Sequence, residues 1–62
     1  MHKVTVHLTN GATEEFKWTP GEDLFWYVIE VADGILAVYQ KNEFISSPCA
    51  VYAPGTWTKA ER

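Results

Sequence analysis

Trp26-Tyr27-Val28-Ile29-Glu30-Val31-Ala32-Asp33-Gly34-Ile35-Leu36-Ala37-Val38-Tyr39 can form either a strand hairpin or part of a helix, and the architecture of the chain turns on which. Most of its residues are aromatic or β-branched, types that suit a pleated, half-buried surface better than a helix. No apolar stripe of helical period runs from Leu24 to Val31. Asp33-Gly34 is a favoured two-residue hairpin turn, and its register sets Val31 opposite Leu36 and Ile29 opposite Val38. An opposing signal lies just upstream. Thr19-Pro20-Gly21-Glu22 fits a capping box with proline at the first helical position, and Gly34 sits where such a helix would end. The stretch is read as a strand hairpin, with one helix near residues 20–32 as the alternative.

As a hairpin it has no polar side. Ile29, Val31, Leu36 and Val38 form one face; Trp26, Val28, Ile35, Ala37 and Tyr39 form the other. Glu30 is the single charge inside the run, placed as a gatekeeper against strand stacking. Strands apolar on both faces need cover on both.

Upstream, Val4, Val6 and Leu8 alternate with Thr5, His7 and Thr9, and Phe16 and Trp18 alternate with Glu15 and Lys17. A two-residue Asn10-Gly11 loop would put these two apolar sets on opposite faces. A three-residue loop, Thr9-Asn10-Gly11, pairs Leu8 with Ala12 and Val4 with Phe16, and leaves Gly11 at the left-handed position. That register puts Glu14 on the face of Val6, which requires an edge position. Downstream, Lys41-Asn42-Glu43 reads as a turn, Phe44-Ile45 as a short strand and Ser46-Ser47-Pro48 as a break. Cys49 to Ala53 is then a strand, Pro54-Gly55 a type II turn, and Thr56 to Glu61 a final strand. Pro48 and Pro54 lack amide donors, which suits an edge or interrupted strand. The whole, residues 1–62, is one all-β domain: an antiparallel meander of five or six strands, curled as a small SH3-like barrel or half-open roll.

Composition narrows the function classes. A hydrophobic content of 47% is too rich for a disordered chain. A chain of 62 residues buries only about 60% of its unfolded surface, so its stability is marginal without a disulfide, a metal or a partner chain. Cys49 is the only cysteine, which excludes an intrachain disulfide and points to a reducing compartment, the cytoplasm. Met1 to Leu8 has no continuous apolar run, and Leu24 to Ile29 is too short to span a bilayer. Membrane association is not expected. The net charge is −3, and the five basic residues (Lys3, Lys17, Lys41, Lys59 and Arg62) are scattered, so nucleic-acid binding is disfavoured.

No chemistry-bearing constellation stands out. His2 and His7 differ by an odd number on one strand and point to opposite faces, so a shared metal is not expected. Cys49 lies in an apolar stretch without a paired base and reads as buried and inert. Ser46 and Ser47 read as turn residues. The glycines fall one to a turn, so there is no phosphate loop. Neither cofactor nor catalysis is expected. Trp18, Trp26 and Trp57 admit a stacking platform for bases, but the lysines and arginines that accompany one are missing, and core or subunit interface is the preferred reading. Trp26, Val28, Ile35, Ala37, Tyr39 and Trp57 are the candidate interface residues.

Ile35-Leu36-Ala37-Val38-Tyr39 followed by Ala50-Val51-Tyr52-Ala53-Pro54-Gly55-Thr56-Trp57 resembles a pattern in short, β-rich, uncharacterised proteins of actinobacteria and their phages. In these an Asp-Gly turn leads into a Leu-x-Val strand, and a Pro-Gly-x-Trp unit follows near the end. The resemblance covers about residues 28–61; Ser46 to Cys49 and Thr19 to Phe25 depart from it. It implies no activity. The resulting expectation is a non-catalytic, self-associating interaction module, a homo-oligomer that acts as a phage-derived or accessory modulator of a host protein. A small-ligand binder that sequesters a nucleotide-like molecule between subunits is the alternative, and a single-stranded nucleic-acid binder the second.

Overall fold

The computed structural model describes residues 1–62. It has six strands and no helix: β1 (His2–Leu8), β2 (Thr13–Trp18), β3 (Trp26–Ala32), β4 (Ile35–Lys41), β5 (Ser46–Tyr52) and β6 (Trp57–Glu61). They form two antiparallel three-stranded sheets, β2-β1-β6 and β3-β4-β5. The all-β reading therefore holds. The barrel does not close: β6 pairs with β1, but no ladder joins β2 to β3 or β5 to β6, so the strands stay in two separate sheets.

The decisive stretch forms a hairpin. Asp33 (φ 53°) and Gly34 (φ 78°) are both left-handed, as a two-residue primed turn requires, and Val31 faces Leu36 while Ile29 faces Val38. The capping signal upstream makes a single turn and stops. The Thr19 carbonyl accepts from the amides of Glu22 and Asp23, and the Asp23 carboxylate accepts from the Thr19 amide at 2.7 Å. Propagating a helix from there would have to place aromatic and β-branched residues around its whole circumference, whereas the Asp33-Gly34 ladder places Leu36 and Val38 in the core with Ile29 packed against them.

The first hairpin uses the three-residue loop. Leu8 donates to the Ala12 carbonyl at 2.8 Å, Gly11 takes φ 89°, and Val4 faces Phe16. Glu14 does share the face of Val6, at the edge strand, and its carboxylate accepts from the Tyr52 hydroxyl across the gap between the sheets.

The C-terminal third departs from expectation in two places. Phe44-Ile45 is not a strand: the Asn42 side-chain oxygen accepts from both their amides at 2.8 Å, winding them into a turn. Ser46-Ser47-Pro48 is not a break but the start of β5. Pro48 is tolerated because β5 is an edge strand and Pro48 adjoins a bulge, where the register slips between Val38 and Tyr39.

The sheets meet through four fully enclosed side chains, Val4 and Val6 from one and Leu36 and Val38 from the other. Phe16, Trp18, Tyr27, Ile29, Tyr52 and Trp57 ring this core at half burial. Tyr27 seals the seam between β2 and β3, with its ring 5.4 Å from Phe16, 5.8 Å from Trp18 and 5.6 Å from Phe25. Burial raises its phenol pKa, reinforced by Cys49 and Asp23.

Candidate functional site

Two sheets packed face to face leave two outer faces, and here they differ in kind. On the first sheet the outward rows are Lys3 with Lys17, Thr5 with Glu15 and Glu61, and His7 with Thr13 and Lys59. Every one is polar. Glu15 takes Lys17 at 3.2 Å and Lys3 at 3.3 Å, and those two lysines, Lys17 foremost, hold its carboxyl below the usual range. Glu61 takes His7 Nε2 at 2.8 Å and Lys59 at 3.4 Å, and is lowered chiefly by its hydrogen bond to His7. This is a hydrated, charge-balanced surface.

The outward rows of the second sheet are Trp26 with Lys41 and Ser46, Val28 with Tyr39 and Pro48, Glu30 with Ala37 and Val51, and Ala32 with Ile35. Apolar side chains occupy nearly all of it. Trp26 is 39% exposed, Ile35 42% and Val51 65%, large values for side chains inside a sheet. At the Trp26 end the face runs on into the loops, where Leu24 and Phe44 stand 86% and 88% exposed and Ile45 adjoins them. Leu24, Trp26 and Phe44 there line an open hollow of about 390 Å³ with Asp23, Asn42 and Glu43 at its margin.

Five of the six expected interface residues, Trp26, Val28, Ile35, Ala37 and Tyr39, thus share one face. Trp57 is not among them. It sits on β6 in the other sheet, packs against the core, and donates from its indole nitrogen to the Gly34 carbonyl at 3.0 Å. A Pro-Gly turn before a tryptophan says nothing of which sheet the following strand joins. Val51, Leu24 and Phe44 extend this apolar surface without having been expected on it. Leu24 and Phe44 flank strands rather than belong to them, and Val51 comes onto the face only through the β4–β5 register.

Cys49 is exposed, which corrects the buried reading. It is the extra residue of the β5 bulge, which leaves it exposed on an edge strand, and its Sγ lies 3.8 Å from the Gln40 side-chain oxygen. His2 stacks on Trp18 with ring centroids 5.5 Å apart, while His7 faces Glu61 on the outside, so the two histidines point apart as the odd spacing requires. No group of three His, Cys, Asp or Glu side chains converges on a metal-sized site. No helix is long and apolar enough to cross a membrane.

Comparison with known proteins adds no relative. No family model, curated protein or solved structure matches the chain. The two outer faces differ sharply. One is a lattice of ion pairs; the other is a continuous apolar surface of Trp26, Val28, Ile35, Ala37, Tyr39 and Val51 crossed by two charges, Glu30 and Lys41.

Proposed function

We propose that this chain is a non-catalytic interaction module that self-associates by packing the outer face of β3-β4-β5 against the same face of a second copy. The observation behind the reading is the exposure of Leu24, Trp26, Ile35, Phe44, Ile45 and Val51 beside one another, from which an approximate area follows. Three strands about 4.8 Å apart and seven residues long, at about 3.3 Å each, give a footprint of roughly 330 Å². Side-chain relief and the projecting Leu24, Phe44 and Ile45 bring the apolar accessible area to the order of 600–800 Å², close to the ~800 Å² per partner of a standard interface. Monomeric proteins rarely leave a patch of that size open. Burying it would also supply the stability that a core of four enclosed side chains lacks.

The nucleotide-binding alternative draws less support. The hollow beside Trp26 is rimmed by Asp23 and Glu43, which repel phosphate. Sedimentation velocity from 1 to 100 μM tests the main reading. A dimer mass at the upper end supports it, and replacing Val51 with lysine would return the sedimentation coefficient to that of a monomer. A wild-type chain that stays monomeric and folded throughout this range overturns self-association, and leaves a host protein as the occupant to seek.

A further inference from the structure

The apolar face carries one charge of each sign, and neither has a partner within the molecule. Lys3, Lys17 and Lys59 each take part in an ion pair; Lys41 is the one lysine that takes part in none. Glu30 is likewise absent from every ion pair. Strand register explains why the two do not find each other. Glu30 lies beside Ala37, and Lys41 is four residues further along β4, about 14 Å away at some 3.4 Å per residue.

Resting on the self-association proposed above, we infer that the second copy seats with its strands reversed, so that Lys41 of each copy lies against Glu30 of the other. A twofold axis in the plane of the interface, perpendicular to the strands and passing through the row of Val28 and Tyr39, carries the row of Lys41 onto the row of Glu30, and the reverse. The same operation carries the row of Ala32 and Ile35 beyond Trp26, onto the loops that hold Leu24 and Phe44. Two otherwise unrelated features, a pair of opposite charges and a set of projecting apolar side chains, are thus both matched by one rotation. A twofold axis parallel to the strands does neither, since it returns Lys41 to the row of Lys41. Glu30 and Lys41 then fix register and orientation on a face whose apolar side chains would tolerate sliding.

Charge reversal tests this in three variants, Glu30→Lys, Lys41→Glu and the double exchange, each checked for folding by far-ultraviolet circular dichroism. Each single variant sets two pairs of like charges against each other in the dimer and is expected to weaken dimerisation more than tenfold by sedimentation equilibrium. The double exchange restores opposite charges across the interface and is expected to bring the dimer back to within about threefold of wild type. An equimolar mixture of the two single variants sets opposite charges against each other in both contacts of the mixed dimer, and should dimerise close to wild type although each variant alone does not. Wild-type dimers together with a double exchange as weak as the singles would overturn the strand-reversed register while leaving self-association standing. Wild-type monomers would overturn both.

Discussion

Tyr52 and Glu14 join the far edges of the two sheets, and removing the hydroxyl by Tyr52→Phe isolates what that link contributes. The bond runs from a neutral donor to a carboxylate, a type that contributes about 1.5–3 kcal/mol. Glu14 is exposed, so solvent screening reduces the figure to roughly 1–2 kcal/mol. A domain this small holds only about 3–5 kcal/mol in all, so a melting point lower by about 5–10 °C at pH 7 is expected. The alkaline side sharpens the test. Burial first, and then the neighbouring Glu14, raise the Tyr52 phenol pKa above its ordinary value of 10.0. A group whose pKa is higher in the folded state stabilises it fully below the unfolded pKa and loses that contribution as pH rises. Above pH 10 the unfolded chain releases a proton that the folded chain retains, so stability falls by at most about 1.4 kcal/mol per pH unit. Tyr27, also raised, lowers both proteins alike. The urea midpoints of wild type and variant, followed by tryptophan fluorescence from pH 7 to 12, should therefore begin apart and converge above pH 10. Curves that coincide at pH 7, or that keep a constant gap to pH 12, would refute the link.

Leu36→Ala removes the largest of the four enclosed side chains and is expected to cost about 3 kcal/mol, nearly the whole stability; retention of the wild-type circular-dichroism melt would contradict the core assignment. Gly34→Ala combines left-handed strain with a methyl 3.2 Å from the Pro54 Cβ, whereas Gly21→Ala adds a methyl with nothing within 4 Å. The first should lower the melting temperature more than the second, and equal shifts would show that Pro54 gives way freely. Cys49 should react with a water-soluble disulfide reagent within minutes without denaturant, and a thiol that reacts only in urea would restore the buried reading.

Local chemistry was legible in the sequence and long-range pairing was not. Asp33-Gly34 fixed one hairpin register by its turn type, and at Thr9-Asn10-Gly11 only the three-residue loop kept the apolar sets on one face. Period-two alternation through the Asp33-Gly34 turn places Trp26, Val28, Ile35, Ala37 and Tyr39 together from sequence alone. Trp57 went astray because β6 pairs with β1, a partner 50 residues away that no turn specifies. Phe44-Ile45 carried the composition of a strand, but the Asn42 side chain captured their amides. Cys49 looked interior by its neighbours; the bulge that exposes it arises where Pro48 meets Tyr39, a pairing invisible in either segment alone.

The return of β6 to β1 also orders the events of folding. Sheet β3-β4-β5 is stitched by two near-neighbour connections, so its ladders close over short loops at little entropic cost. Sheet β2-β1-β6 is incomplete until His7 meets Lys59 across most of the chain, the kind of distant encounter that slows all-β domains to milliseconds or longer. Amide protection should accordingly rise in β4 before it rises in β6 when refolding is sampled by pulsed hydrogen exchange. During that interval the early sheet has both of its apolar sides bare, and the nascent molecule is at its most vulnerable to sticking to its neighbours.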